Sequence, residues 1–409
     1  MSKSSHFFGQ PIYGQLLKLL DKSEILKISR ENGDERYVKR FDCWTHLVTM
    51  LYAVIMRYDS LREISLGMLA EARKLSHLGI SMMPSRNTLS DANARRPLTI
   101  FEKIYRQLYG PYRHELCSDS RGRLAPKWMK RLQIIDSTTI SLFSNLLFKG
   151  VGRNPKTGKK KGGIKVHTVI HANEGVPSDI SFTSAATNDS FMLIPANFHN
   201  GDVLAMDRAY IDYAKLEMLT RRGLIYVTKM KKNLNYVLWK DIAWQTSDGQ
   251  MVYRIKHVTF HKVVKGGQLI SHSARIISYI DVNKHKIIEL LTNDMDSDPE
   301  EIVTIYRQRW EIEMLFKQIK QNFPLRYFYG ESRNAIQIQI WITLIANLIL
   351  MVLQCRQKRH WSFSGLATIV RFTMMYYADL YSLLNHPEKD WESILEQPHE
   401  SPPLPSLFD

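Results

Sequence analysis

Apolar residues recur every three to four positions through the first third of the chain. Segments 13–29 and 41–64 carry this spacing, and strand-like alternation is absent from both. The spacing predicts amphipathic helices. A shorter helix is predicted over 86–96, because Ser85 can cap its start and Pro97 ends it. The chain ahead of the first strand is therefore predicted to form a small helical domain.

From Arg131 onward the pattern becomes typical of β-strands. Three antiparallel strands bounded by Gly, Pro and Asn are expected first, at 132–143, 164–173 and 177–185. A strand, a helix and a strand follow in alternation, at 202–207, 210–222 and 224–230. This order predicts an α/β fold, a mixed sheet with helices on both faces.

Residues 232–285 interrupt that alternation with further β pattern. The turn dipeptides Asp248-Gly249 and Gly266-Gly267 flank a run that alternates apolar with polar residues. Turn dipeptides between alternating runs are typical of hairpins. The segment is therefore predicted to be an antiparallel β insertion.

A long helix is predicted after the insertion. Asp298 is a good N-cap, Pro299 would take the first helical position, and Glu301 would complete a capping box. Pro324 limits the helix at its other end. A second long apolar window, 336–353, is interrupted by Gln, Thr and Asn residues. We interpret this window as a buried core helix and not as a membrane span.

The charge balance points to an anionic partner. The chain has 56 Lys and Arg against 40 Asp and Glu, a formal net charge of +16. Lys and Arg placed on phosphates release condensed counterions, so nucleic acid is the first partner to consider. The three cysteines, Cys43, Cys117 and Cys355, are far apart and support neither a disulfide framework nor a zinc knuckle. Without a secretory signal in the N-terminal sequence, we expect a cytoplasmic protein with no membrane partner.

Two aspartates stand out in the predicted sheet. Asp136 lies within the apolar run of a central strand, where a carboxylate needs a cation, hydrogen bonds or a raised pKa. Asp207 ends another apolar strand, and ligands usually bind at the carboxyl ends of strands in α/β sheets. Either aspartate alone is as compatible with a cap, a turn or an ion pair as with function.

The predicted long helix carries a polar stripe beside its apolar face. At about 100° per residue, Tyr306, Arg309, Glu313 and Lys320 fall within about 60° of one another. Glu311 points away from this stripe, which selects Glu313 as the third acidic candidate. Geometry alone leaves open a surface helix whose charges pair at three- and four-residue spacing.

These residues resemble a known family. The string YRQRWEIEMLFKQIK, Tyr306 to Lys320, resembles the YREK signature of the IS4-type bacterial insertion-sequence transposases. The strings IIDSTTI around Asp136 and LAMDRAY around Asp207 are similar to the segments that carry that family's first two catalytic aspartates. The resemblance covers most of the chain, from about residue 5 to residue 375.

The resemblance implies a ribonuclease-H-like core in which Asp136, Asp207 and Glu313 form a DDE triad that holds two Mg²⁺ ions, with Mn²⁺ as a substitute. The residues agree with this, because Mg²⁺ prefers hard oxygen ligands and no Cys or His cluster competes. It also implies a homodimer on double-stranded DNA, acting on inverted-repeat ends and on target DNA in the bacterial nucleoid. Cleavage would include a hairpin intermediate.

Several further residues are expected to contact DNA. By resemblance, Tyr306, Arg309 and Lys320 hold phosphates near the scissile bond, with Arg208 as an additional contact. The basic run 153–165 is expected to be a DNA-contacting loop; its cations include Arg153, Lys159, Lys160 and Lys161. Trp239 and Trp244 are candidates for stacking a flipped base, although ordinary packing explains either. The short predicted helix could enter a DNA groove, although most surface arginines have no such specific role. The arginines that flank it are Arg86, Arg95 and Arg96.

One pair of histidines has a spacing that resembles a metal site. His167 and His171 have the spacing of a zinc pair, but that geometry needs a helix, so we interpret them as sheet residues. The expected division is a helical DNA-binding domain (1–128), a catalytic core in two parts (129–231 and 286–380), the β insertion (232–285) and a C-terminal tail (381–409).

Three other functions are compatible with parts of this pattern. A stand-alone ribonuclease-H-like nuclease would need no helical end-binding domain. A catalytically silent DNA-binding repressor would not need all three carboxylates. A glycosidase could use paired carboxylates but would not call for a strongly basic chain.

Overall fold

The computed structural model describes residues 9–36, 38, 40–116, 126–141, 163–172, 174–246, 249, 251–263, 267–281 and 285–389. The chain divides into two compact units. The helical unit comprises Met1–Tyr105 and Ile338–Asp409, and the sheet unit comprises Arg106–Gln337.

The described helices are, in chain order, α1 Ile12–Leu16, α2 Lys22–Glu31, α3 Cys43–Met56, α4 Leu61–Ala70, α5 Arg86–Arg95, α6 Leu98–Leu116, α7 Tyr213–Arg221, α8 Pro299–Gln308, α9 Trp310–Asn322, α10 Arg333–Cys355, α11 Phe363–Thr373 and α12 Leu380–Asn385. Short polar side chains cap several of them by accepting backbone N–H groups, as Asp42 does for α3 and Ser85 for α5.

The two long helices predicted near the N-terminus are each divided in the structure. The segment 13–29 is broken by a 3₁₀ turn, and Asp21 then caps α2. The segment 41–64 is broken at Arg57, which has a left-handed backbone with φ of 61°, and Ser60 then caps α4. The apolar spacing in the sequence continues across both breaks, so it does not reveal them. The helices end there because of the local caps and the backbone turn.

C-terminal helices belong to the helical unit. The Ile12 N–H donates to the carbonyl of Tyr376 over 2.9 Å, and the Arg371 Nε donates to the carbonyl of Ile55 over 2.9 Å. The segment 286–380, predicted as the second part of the core, is therefore divided between the two units. The prediction missed this division because local sequence pattern does not show long-range contacts. Among the described residues, α10 alone is long and apolar enough to cross a membrane, and 94% of its most apolar window is buried inside the protein. That burial matches the predicted core helix.

The sheet unit contains one nine-stranded sheet in the order β3-β2-β1-β4-β5-β9-β8-β7-β6. Its strands are β1 Leu132–Ser141, β2 Gly163–His171, β3 Pro177–Ser184, β4 Val203–Met206, β5 Ile225–Lys229, β6 Val237–Gln245, β7 Val252–Val263, β8 Leu269–Asp281 and β9 Lys286–Thr292. Strand β4 pairs in parallel with β1 and β5, and the other neighbours are antiparallel. Mixed α/β architecture is thus confirmed. Strands β6 to β8 are antiparallel as predicted and extend this same sheet through β9.

Helices cover both faces of the sheet. On one face Leu204 and Met206 of β4 pack with Leu216 and Leu219 of α7 in a buried apolar cluster. Side chains alternate along a strand, so the residues next to Leu204 and Met206 point to the other face, where α8 and α9 lie. The apolar packing fixes β1 and β4 side by side.

The predicted single helix after the insertion is two helices, α8 and α9, with Arg309 at their junction. The Arg309 N–H donates to the carbonyl of Tyr306 over 3.1 Å, the tighter three-residue spacing of a 3₁₀ turn. Pro299 takes the first helical position as predicted, but the side chain of Asp298 makes no capping hydrogen bond. The predicted capping box is therefore wrong: the Glu301 N–H bonds to the main-chain carbonyl of Asp298 instead.

Candidate active site

Asp136 and Asp207 are neighbours because β1 and β4 run in parallel. Ile135 of β1 is in register with Met206 of β4, so the two aspartates follow at the same level and on the same face. The Ser137 N–H donates to Asp136 Oδ1 over 2.7 Å, and the Ala209 N–H donates to Asp207 Oδ2 over 3.2 Å. Each carboxylate is thus oriented by the backbone that follows it.

Arg309 joins the first aspartate to the helix glutamate. Its Nη1 donates to Asp136 Oδ2 over 3.3 Å, and its Nη2 donates to Glu313 Oε1 over 2.5 Å. The guanidinium also lies 5.6 Å from the ring centroid of Tyr306. Arg309 is largely buried, with 15% of its side chain exposed. The structure therefore brings residues from β1, α8 and α9 together around one buried cation.

The carboxylates around Asp136 create a negative potential that favours binding of a cation beside Arg309. Burial raises the pKa of Asp136 to about 6, and the carboxylates of Asp207 and Glu313 push in the same direction, while Ser137 and Arg309 oppose them. The pKa of Tyr306 is raised by burial, with Asp207 and Glu313 again among the causes. The carboxylates of Asp207 and Glu313 are thus close enough to Asp136 to repel its negative charge.

This donor set fits a divalent cation. Carboxylate oxygens without nearby thiols or imidazoles suit hard ions such as Mg²⁺. The three carboxylates do not all lie within 4.8 Å of one another. The guanidinium of Arg309 lies between two of them and forms ion pairs with both Asp136 and Glu313.

Another acidic group in the described residues has its ligand atoms within 4.8 Å, namely Asp34, Glu35 and Cys43 of the helical unit. Arg96 forms ion pairs with both carboxylates. Burial raises the pKa of the Cys43 thiol to about 12, so the thiol stays protonated at neutral pH. We therefore assign no metal to this group.

Lys320 lies beside the same strand. Its Nζ donates to the Thr138 hydroxyl over 2.5 Å and is 3.5 Å from the carbonyl of Thr139. Desolvation of the ammonium group lowers the pKa of Lys320. Thr138 is two residues beyond Asp136 and points to the same face, so Lys320 and Arg309 both reach the carboxylate side of β1.

The remaining predicted DNA contacts have varied positions. Arg208 is exposed directly after Asp207. Trp239 is 58% exposed on the edge strand β6, with its ring 5.2 Å from His257, whereas Trp244 packs against Tyr253. Four residues of the predicted basic loop lie outside the described residues: Arg153, Lys159, Lys160 and Lys161.

The exposure of Arg96, Arg95 and His167 bears on two of the predictions. Arg96 is only 5% exposed and is paired with Asp34, so this arginine is not one of the cations that the short helix could present to a DNA groove. Its neighbour Arg95 remains exposed, with 78% of the side chain accessible. His167 and His171 lie on β2, as sheet residues, and burial lowers the pKa of His167 to about 4.

Two residues near the site were not singled out from the sequence. Trp310 is 59% exposed immediately after Arg309. Asp189 accepts a hydrogen bond from Ser137, the residue next to Asp136. The contact between Asp189 and Ser137 spans 52 positions and therefore has no local sequence signal.

Two protein families match parts of the chain. Residues 127–349, more than half of the chain, match the family described as "Transposase DDE domain". Residues 8–81 match a second family, described as "Domain of unknown function (DUF4372)".

Three relatives are transposases by name. "Putative transposase y4zB" of Sinorhizobium fredii is 27% identical over 271 residues, which are 66% of this chain and 72% of the relative. "Probable transposase for insertion sequence element IS5377" of Geobacillus stearothermophilus is 26% identical over 61% of this chain and 64% of its own. "Putative transposase for insertion sequence element IS4SA" of Synechocystis is 26% identical over 65% and 71%. The chain therefore belongs to the DDE-domain transposases of insertion sequences, enzymes that cut and transpose DNA.

Proposed function

We propose that this transposase binds the terminal inverted repeats of its own insertion sequence, cuts the DNA there and joins the freed ends to target DNA. Two observations carry the proposal. The parallel pairing of β1 with β4 sets Asp136 beside Asp207, and Arg309 forms ion pairs with both Asp136 and Glu313. A carboxylate cluster of this kind is costly to bury unless it serves to bind cations.

The three carboxylates would hold two Mg²⁺ ions, which Mn²⁺ can replace. Such a pair activates the attacking oxygen and stabilises the leaving oxygen of a phosphodiester. Ser137 presents the carboxylate of Asp136, and Ala209 presents that of Asp207. Arg309 would leave its two carboxylate partners and turn its planar fork to a DNA phosphate, for which a bidentate guanidinium is well suited.

The DNA would lie along the carboxylate side of β1. Lys320 and Tyr306 would contact phosphates near the scissile bond, with Arg208 at the neighbouring turn. The exposed rings of Trp310 and Trp239 would stack on bases released from the duplex, an interaction worth about 1 to 3 kcal/mol per base. The net charge of +16 supplies long-range attraction to the duplex.

The overall reaction would use two copies of the chain, one for each end of the element, in the bacterial cytoplasm at the nucleoid. Water would serve as the first nucleophile and nick the end. The resulting DNA 3′-OH would then attack the opposite strand, which forms a hairpin on the element end and releases the flanking DNA. A second water would hydrolyse the hairpin and restore the 3′-OH, which would then attack target DNA.

The test is cleavage of a labelled inverted-repeat end by the full chain with MgCl₂. We expect site-specific nicks with 3′-OH ends, reduced by about 10³-fold or more in Asp136→Ala, Asp207→Ala and Glu313→Gln. Glu311→Gln is the matched control, because it removes a carboxylate from the same helix outside the cluster, and it should retain cleavage.

Three outcomes would contradict the proposal. Cleavage that survives Glu313→Gln would remove Glu313 from the site. Equal cleavage of DNA without the inverted repeat would favour a stand-alone nuclease. Tight binding of the inverted repeat without cleavage in either Mg²⁺ or Mn²⁺ would favour a repressor.

A further inference from the structure

A second polar cluster lies behind Asp136, on the opposite face of the sheet. Successive side chains of a strand point to opposite faces, so Ser137 faces away from the three carboxylates. Its hydroxyl donates to Asp189 Oδ1 over 2.8 Å. The Nζ of Lys165, on β2, lies 3.1 Å from the same oxygen, and the two charged side chains are only 13% and 16% exposed.

Ser137 connects this cluster to the candidate site through its backbone. Its N–H donates to Asp136 Oδ1 over 2.7 Å, which leaves Oδ2 facing Arg309. The residues thus form a continuous series from the ammonium of Lys165 through the carboxylate of Asp189 and the two polar groups of Ser137 to the carboxylate of Asp136. Each link is a hydrogen bond or an ion pair between part-buried groups.

The same cluster also reaches the turn that follows the second aspartate. Tyr210, three residues after Asp207, is fully buried, and its pKa is raised by burial and then by the nearby carboxylates of Asp189 and Asp136. His167 lies 3.6 Å from Asp189, but burial lowers the pKa of His167 to about 4, so it is neutral at pH 7. The charge on Asp189 is therefore balanced by Lys165.

We infer that Asp189 is a positioning residue for Asp136. By fixing the hydroxyl of Ser137, Asp189 fixes the peptide N–H that orients the carboxylate, and thus which oxygen faces the metal ions. This inference rests on the proposed metal chemistry of the site. Partners of this kind, which contact a ligand residue and not the metal, typically change metal affinity by about 10- to 100-fold when removed.

The test is Mn²⁺ binding to the full chain, measured by calorimetry without DNA. Asp189→Ala should weaken Mn²⁺ binding by about 10-fold, and Ser137→Ala should have a similar effect. The matched control is Asp179→Ala, which removes an exposed carboxylate that pairs with Arg106 in the same unit. That variant should bind Mn²⁺ as the wild type does.

Two further variants separate positioning from general stability. The double variant Ser137→Ala/Asp189→Ala should be no weaker than the weaker single variant, because both substitutions break one series of contacts. Asp189→Asn keeps an acceptor oxygen for Ser137 and should retain Mn²⁺ affinity within about threefold of wild type, even where its melting temperature falls. A role in stability alone would lower the melting temperatures of Asp189→Ala and Ser137→Ala and leave their Mn²⁺ affinity unchanged.

The outcomes also separate this inference from the proposed function. If Asp136→Ala abolishes Mn²⁺ binding while Asp189→Ala binds within twofold of wild type, the positioning role is wrong and the metal site stands. If the wild-type chain binds no Mn²⁺, both fail. Should Asp189→Ala not fold, Ser137→Ala decides the question, and wild-type affinity in Ser137→Ala overturns the inference.

Discussion

Replacement of Arg96 by methionine should strongly destabilise the helical unit, because this arginine is a buried partner of two carboxylates. Arg96 is 5% exposed, forms ion pairs with Asp34 and Glu35, and donates to the carbonyl of Phe41 over 2.5 Å. The two carboxylates are themselves only 10% and 14% exposed. Arg96→Met would leave them buried beside each other without a cation.

The expected cost follows from that burial. Removal of one partner from a buried ion pair destabilises a protein by about 3 to 5 kcal/mol, because the remaining charge is left uncompensated. For a unit of this size such a loss lowers the melting temperature by about 6 to 20 °C. A typical domain has only about 5 to 15 kcal/mol of stability, so the effect should be plain.

The neighbouring residue provides the control. Arg95 pairs with Asp91 one helical turn away, and the two side chains are 78% and 65% exposed, so Arg95→Met should cost about 0.3 to 0.5 kcal/mol. Urea unfolding followed by circular dichroism would compare the two. Asp34→Asn added to Arg96→Met should restore part of the loss by removing an unpaired charge. Equal costs for the two arginine variants, or weaker DNA binding by Arg96→Met at unchanged stability, would refute the reasoning.

Three further predictions use other described residues. Lys320→Ala should weaken binding to the inverted-repeat end and lower the slope of log affinity against log salt by about one, measured by gel shift; an unchanged slope would exclude a phosphate contact. Burial lowers the pKa of His46 to about 3, so His46 stays neutral in the folded chain while the unfolded chain takes up a proton below about pH 6.5. Protonation of His46 in the unfolded chain should therefore lower the free energy of unfolding by about 1.4 kcal/mol per pH unit between about pH 6 and pH 3. His46→Gln cannot titrate, so its free energy of unfolding, measured with urea, should fall less steeply with pH. Parallel pH profiles for the two proteins would contradict this. Gly67→Ala should cost about 1 to 3 kcal/mol, because the added methyl group would overlap the ring of Tyr58, whereas Gly110→Ala, with open space around it, should be neutral or stabilising in the same thermal melts.

Much of the sheet could be predicted because its signals are local. The third strand was expected at 177–185 and is observed at Pro177–Ser184, since alternation and bounding turn residues are properties of adjacent positions. The placement of Asp136 inside a strand and of Asp207 at the end of another depended on the same signals. The face of α9 that carries Glu313 also followed from periodicity within one helix.

The rest depends on contacts between distant residues. Arg309 was expected to face a phosphate, yet its hydrogen bond to Asp136 joins positions 173 apart, which no helical wheel can show. The burial of Arg96 depends on Asp34, 62 positions away. The docking of the C-terminal helices on the N-terminal ones depends on carbonyls more than 300 positions away, such as that of Ile55. In each case the bonding partner lies far away in the chain, so local sequence pattern does not predict it.

The alignment of Ile135 with Met206 has a consequence for how this enzyme can change. Adding or deleting one residue between Leu132 and Asp136 would turn the acidic side chain to the wrong side of the sheet, because neighbouring side chains alternate. Surface connections between strands, in contrast, tolerate changes of length. We therefore expect active copies of the element to differ freely in loop length but to keep the number of residues from Leu132 to Asp136 and from Val203 to Asp207.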